Sequence, residues 1–250
     1  MKTKLLTIAM TAALMLTAMM KVQAQNFEGP CLPSAHGLNG HQSAFCGFTQ
    51  TIALSEDWNW VSLYVEGNPI EMLMQLEAAL SDNGMQIESQ YDGLTENIGN
   101  GYWMGDLEEN GVVNENMYLV QAATGCEIEL QGAVADPADH VITLYPEWTW
   151  IGFPCTEEVD IMVALTGLEA EEGDMIEGPE GVAEHLGGGY WYGLETLVPG
   201  QGYMYFSNSD GVKTFFFQTA GLDKAARAVT NIGKLPEKPI MVIREQDKVK

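Results

Sequence analysis

Basic residues are almost absent from the body of this chain. Between Gln25 and Leu222 there are 31 aspartates and glutamates and one lysine, Lys213, a net charge of −30. Such a body repels phosphate backbones and anionic headgroups, which excludes nucleic acid as a partner. Solubility and resistance to association account for the charge without any further role. Familiar chemical signatures are also missing. No Gly-x-Ser-x-Gly, no His-Glu-x-x-His, no phosphate-cradling glycine loop and no Asp-x-Asp-x-Asp-Gly calcium loop occurs. Past residue 24 there is no apolar run of the roughly 20 residues that a membrane helix needs. Cysteine is scarce: Cys31, Cys46, Cys126 and Cys155 are the complete set.

The N-terminus reads as a processing signal. Lys2 and Lys4 precede an apolar run from Leu5 to Met20, and Val22-Gln23-Ala24 is a small-x-small cleavage site. Residues 1–24 are thus expected to be a signal peptide, with the retained-anchor alternative disfavoured by the shortness of the run. No cysteine follows the site to take a lipid. The expected location is the periplasm, the outer surface or the medium, with no membrane span after cleavage. An oxidising compartment favours disulfides. Proximity along the chain pairs Cys31 with Cys46 and Cys126 with Cys155, one of three connectivities. Cys31, His36, His41 and Cys46 are also evenly spaced and offer four zinc ligands, but the spacing exceeds that of zinc-finger pairs, and the disulfide is the preferred reading.

Tryptophan occurs only in two matched sets. Trp58-Asn59-Trp60-Val61 returns as Trp148-Thr149-Trp150-Ile151, and Gly101-Tyr102-Trp103-Met104-Gly105 returns as Gly189-Tyr190-Trp191-Tyr192-Gly193. This is the mark of an internal duplication. The expected organisation is a disulfide-pinned lead-in over 25–48, repeat one over 49–138, repeat two over 139–220 and a basic tail over 221–250. From Asp223 onward the tail has seven basic and four acidic residues.

Within repeat one, Thr51 to Leu54 and Trp58 to Val65 read as strands, the latter covered on both faces. Asn68, Pro69 and Glu71 open a helix whose stripe is Ile70, Leu73, Leu76 and Leu80. Met85 to Gln90 is a strand, Asp92 to Asn100 a polar loop, and Tyr102 to Gly105, Met117 to Ala122 and Cys126 to Leu130 are strands. In repeat two, His140 to Tyr145, Trp148 to Phe153, Asp174 to Glu177, Tyr190 to Tyr192, Tyr203 to Phe206 and Lys213 to Gln218 are strands. A helix capped by Thr156 turns Ile161, Met162 and Leu165 inward. The fold class is mainly β: two tandem repeats of about six short antiparallel strands, each with one inserted helix.

These phrases resemble a repeat of secreted, multidomain surface proteins of Gram-negative gut bacteria. The resemblance spans residues 49–218. It rests on Trp58 to Ser62, Ser89-Gln90, Trp103 to Leu107, Met117 to Val120, Cys126 to Gly132, Asp136 to His140, Trp150 to Pro154 and Leu197 to Asn208. It implies a β-rich extracytoplasmic module with no established activity and no catalytic residues to transfer. Asp57 stands where that repeat has glycine. Cys155 stands where leucine is usual, which the resemblance reads as a local disulfide with Cys126.

The paired tryptophans of the strands read as core rather than as a stacking platform. Tyr102, Trp103, Tyr190, Trp191 and Tyr192 are the candidate ligand-binding residues, the tyrosines being expected at the surface because loops precede them. The expected function is a non-catalytic binding or adhesion module for a glycan, a matrix component or an envelope protein. A hydrolase would use a carboxylate pair about 5–9.5 Å apart, but a chain this acidic supplies such pairs by accident. A cation-binding module would use clusters such as Glu169 to Asp174, with calcium held weakly. No other cofactor is expected.

Overall fold

A computed structural model describes residues 47–219. The expected signal peptide, most of the lead-in with Cys31, His36, His41 and Cys46, and the basic tail lie outside the described residues. In chain order the elements are β1 (Phe48–Leu54), β2 (Asp57–Val61), β3 (Val65–Glu66), α1 (Pro69–Leu80), β4 (Gly84–Ser89), β5 (Leu94–Gly99), β6 (Tyr102–Gly105), α2 (Leu107–Asn110), β7 (Tyr118–Ala122) and β8 (Cys126–Val134). The second part of the chain adds β9 (Ile142–Leu144), β10 (Glu147–Ile151), β11 (Val159–Asp160), α3 (Ile161–Ala164), β12 (Met175–Gly178), β13 (Gly181–His185), β14 (Trp191–Gly193), β15 (Thr196–Leu197), β16 (Tyr203–Ser207) and β17 (Lys213–Phe215).

The protein is mainly β and its sheets are antiparallel. Two of them have five strands, in the orders β2-β7-β4-β5-β6 and β10-β16-β12-β13-β14. Ranked by chain position, both orders run first, fifth, second, third, fourth. Smaller sheets join β1-β8-β3, β17-β9 and β11-β15. Each five-stranded sheet closes over its own apolar cluster. The first is built on Leu73, Leu76, Ile87, Tyr118, Val120 and Leu130. The second is built on Ile151, Phe153, Ile176, Trp191, Tyr203 and Tyr205.

Helix α1 begins as its sequence predicts. Asn68 Oδ1 accepts the amides of Ile70 and Glu71, and Pro69 fills the first position. Its buried stripe is Met72, Leu73, Leu76 and Leu80, whereas Ile70 is exposed. The second half departs from the expected helix. Asp160, not Thr156, caps α3, which is a single turn with Met162 at the surface.

Three strand assignments also change. The strand from Trp58 stops at Val61, because the next peptide groups are satisfied elsewhere. Buried Gln50 accepts the amides of Tyr64 and Val65 and donates to the Ser62 carbonyl. The polar segment after Asp92 is strand β5, with Thr95 buried and Glu96 turned outward. Strand β13, unmarked by aromatic residues, lies between β12 and β14.

Cys126 and Cys155 are both free, so the expected bridge is absent. Cys126 opens β8 opposite Leu54 against the first cluster. Cys155 is enclosed within the second cluster, where burial pushes its thiol up to about 12. Among the described residues, no helix is long and apolar enough to cross a membrane.

The halves meet at a hydrogen-bonded joint. The Ser62 amide donates to Gly200 O at 3.0 Å, and the Gly152 amide donates to Glu115 O at 2.8 Å. Ser62 Oγ donates to Gln201 O at 2.7 Å. The Gln90 side chain donates to Trp148 O at 2.9 Å and accepts from Trp150 N at 2.7 Å, covering part of the free edge of β10.

Candidate functional site

Alternation along a strand sends neighbouring side chains to opposite faces. In β6 it turns Trp103 toward the core and leaves Tyr102 and Met104 on the outer face. In β14 it buries Trp191 and exposes Tyr192. The hairpin β5–β6 turns through Gly99-Asn100-Gly101, and β13–β14 turns through Gly187-Gly188-Gly189. All these residues have positive φ, and a Cβ on any of the glycines would meet nothing within 4 Å. The rings after each turn therefore stand clear. Tyr102 is 69% exposed, Tyr190 52% and Tyr192 68%.

Cross-strand pairing completes a face on each hairpin. Glu96 lies opposite Met104, and Glu184 lies opposite Tyr192. Ile98 and Leu186 sit two residues further along on the same face, and both are exposed. Each hairpin thus presents an aliphatic residue, a tyrosine, a second large side chain and a carboxylate, on a surface where exposed apolar side chains cluster. Sequence alone did not single out the glutamates among so many acids. Their signal was their place six residues before the post-turn tyrosine in both hairpins.

The five candidate ligand residues divide. Tyr102, Tyr190 and Tyr192 share the open side. Trp191 is buried and packs at a tilt against His185 with ring centroids 5.0 Å apart. Trp103 packs against the first cluster, close enough to Gly84 that a Cβ there would lie 2.7 Å from its ring. Its Nε1 is buried without a partner.

The strand tryptophans reverse expectation. Trp58 and Trp60 of β2 and Trp148 and Trp150 of β10 lie on the solvent side of their sheets, and none is buried. Their cross-strand neighbours on that side are Gln121, Leu119, Phe206 and Met204 respectively. Trp148 packs on Phe206 with centroids 5.2 Å apart. The inward positions belong instead to Val61, Thr149 and Ile151. Asp57 and Glu147, each just before the first tryptophan, have φ of 77° and 67°. Both therefore hold the left-handed turn that glycine adopts freely and other residues adopt at a cost of about 1–2 kcal/mol.

A cluster of titratable side chains lines a cleft at the linker. His140 Nδ1 is 2.9 Å from Glu115 Oε1, and Nε2 is 2.9 Å from Glu66 Oε2, at the wall of a cleft of about 370 Å³. Both partners are carboxylates, so the protonated ring donates from both nitrogens. The hydrogen bond to Glu115 raises the His140 pKa, against burial, with Glu66 adding to the rise. Burial pushes Glu115 up, but the bond from His140, a backbone hydrogen bond and the His140 charge together outweigh it, and the net shift is down. In that state both ring nitrogens are engaged, and the arrangement clamps the linker, β3 and the loop before β7 together.

The clamp has a pH window. His140 is raised above its ordinary 6.5, so its contribution is complete below that pH and is lost as pH rises through the folded value. Glu115 is lowered below its ordinary 4.5, so its contribution is present above that pH and is lost as pH falls through the folded value. Melting temperature is expected to fall on the alkaline side of 6.5 and to do so less in His140→Gln. An identical alkaline slope in the variant would dismiss the clamp.

Two acids of the stretch from Glu169 to Asp174, Glu171 and Asp174, are already engaged. Lys213 Nζ lies 3.1 Å from Glu171 Oε1 and 3.3 Å from Asp174 Oδ2. Asp174 is fully buried and also accepts Tyr205 Oη at 2.7 Å, Asn208 N at 2.7 Å and Glu171 N at 3.0 Å. Among the described residues, no three His, Cys, Asp or Glu side chains are grouped to hold a metal ion. Comparison with known proteins finds no family model, no curated protein and no solved structure that matches this chain.

Proposed function

We propose that this chain is an exported, non-catalytic module, two copies of one folding unit, that binds a glycan through the open faces of its β5–β6 and β13–β14 hairpins. The observation behind this reading is the repetition of exposed side chains that the core does not need. Tyr102 with Met104, and Tyr190 with Tyr192, stand beyond glycine turns, each above one carboxylate. Flat rings suit the C–H faces of sugars, and a carboxylate accepts hydrogen bonds from their hydroxyls. The leader supports export, and the charge of the body disfavours polyanions. Two matching halves are supported by two equivalent internal bonds. Tyr118 Oη accepts from Val113 N at 2.8 Å, and Tyr203 Oη accepts from Val198 N at 2.6 Å.

The mature protein is expected to be retarded in gels cast with a neutral polysaccharide, using soluble glucans, mannans and xylans as probes. Tyr102→Ala combined with Tyr190→Ala should weaken retardation at least tenfold without shifting the melting temperature, since both rings are exposed. Retardation that survives the pair would remove these faces from the site. Release of reducing sugar from any probe would replace the binding module with a hydrolase.

A further inference from the structure

We propose that the joint between the halves is an internal two-fold, so that the chain presents two equivalent sites for an uncharged, repeating glycan and binds it divalently. This rests on the binding reading above and extends it to valence and ligand charge.

The symmetry is visible in which residues meet. Ser62 and Gly152 occupy the same place, just after β2 and β10. Glu115 and Gly200 occupy the same place, three residues before Tyr118 and Tyr203. The Ser62 amide donates to Gly200 and the Gly152 amide donates to Glu115. Each half therefore gives the other the same bond that it receives. Met117 and Gly202, the residues just before those tyrosines, touch each other: a Cβ on Gly202 would overlap the Met117 side chain. Contact between counterparts is what a two-fold axis produces, and an isologous joint is closed rather than open to a third unit. The two hairpin faces are then related by that axis and held by one rigid joint.

Local sequence sets the ligand charge. The segments Ile98-Gly99-Asn100-Gly101-Tyr102-Trp103-Met104 and Leu186-Gly187-Gly188-Gly189-Tyr190-Trp191-Tyr192 contain no charged residue, in a chain with 35 acidic ones. A cationic partner would be drawn to the acidic surface elsewhere rather than to these tips. A polyanion would be repelled by the whole body. An uncharged polyol meets neither objection, and Glu96 and Glu184 at the base of each tip supply acceptors.

The test is calorimetric, on the full mature chain, with the neutral polysaccharide that retards it best and a tetrasaccharide cut from that polymer. The tetrasaccharide should bind with a stoichiometry of two per chain. The pair Tyr102→Ala with Met104→Ala should reduce that to one, as should Tyr190→Ala with Tyr192→Ala. The affinity of the remaining site should be unchanged. On the polymer, either pair should cost about 10²-fold or more, because linking two sites raises avidity by that order. A stoichiometry of one in the parent chain overturns divalency and leaves the binding reading standing. So does one pair abolishing tetrasaccharide binding. No binding to any neutral polymer, or binding only to polylysine with a steep salt dependence, overturns the glycan reading itself.

Discussion

Asp174→Ala is expected to destabilise the second half by about 3–5 kcal/mol, the usual range for removing one partner of a buried charge pair. The carboxylate is fully buried and gathers three donors besides Lys213. Removal strands the Tyr205 hydroxyl and the amides of Asn208 and Glu171, and leaves Lys213 with Glu171 alone. Burial pushes the Asp174 carboxyl up, but the amides of Asn208 and Glu171, the Tyr205 hydroxyl and the Lys213 charge hold it below its ordinary 3.8. A depressed carboxylate stabilises at pH values above 3.8 and loses that contribution as pH falls through its folded value. Asp174→Asn should therefore cost less than alanine and flatten the acid limb of the stability curve. Tyr205→Phe should cost about 1.5–3 kcal/mol, the net worth of a hydrogen bond to a charged group. Denaturant unfolding across pH measures all three, and a loss under about 1 kcal/mol for Asp174→Ala would mean that water replaces the carboxylate.

Most strands were legible because their aromatic and β-branched runs mark them, and α1 because Asn68-Pro69 and its apolar spacing mark it. Strand β5 was not, since Leu94-Thr95-Glu96-Asn97 places a small polar residue inward and a charged one outward. Local composition then reads as loop, and only pairing with β4 reveals a strand. The tryptophans misled for a related reason. A strand with large apolar side chains on both faces looks doubly covered, yet β2 and β10 lie at the ends of their sheets with one face open. Composition states what a strand prefers to bury, but the number of layers above it is a property of the whole fold. The absent bridge between Cys126 and Cys155 has the same origin. The residues are 29 positions apart, but they are committed to different apolar clusters. The exposed tyrosines were legible because loops precede them, and the first side chains beyond a surface loop tend to stand in solvent.

Gly152→Val should uncouple the two halves. A Cβ at this position would overlap the carbonyl oxygen of Asn114 and lie 2.8 Å from that of Asn116. Neither neighbour is a side-chain end that swings away, because both are backbone and buried Asn114 is itself pinned by donating to Leu63 O and Val65 O. Relief requires the loop before β7 to leave the end of β10, which breaks the Gly152-to-Glu115 bond and loosens the clamp of His140 on Glu115. Overpacking usually costs about 1–3 kcal/mol, and a clash with fixed backbone on two sides belongs at or beyond the top of that range. The apolar clusters are separate, so the loss should appear as lost cooperativity: one melting transition in the parent chain, two in the variant. Ser62→Gly gives a scale for the joint. It removes the buried hydroxyl that donates to Gln201 O and approaches Phe153 O, adds the backbone freedom of glycine, and should cost about 1–2 kcal/mol while keeping a single transition. If Gly152→Val melts once, at the parent temperature, the loop yields freely and the two halves are not rigidly joined. The tyrosine faces would then have no fixed relation to each other, and a polymer would gain nothing from meeting both.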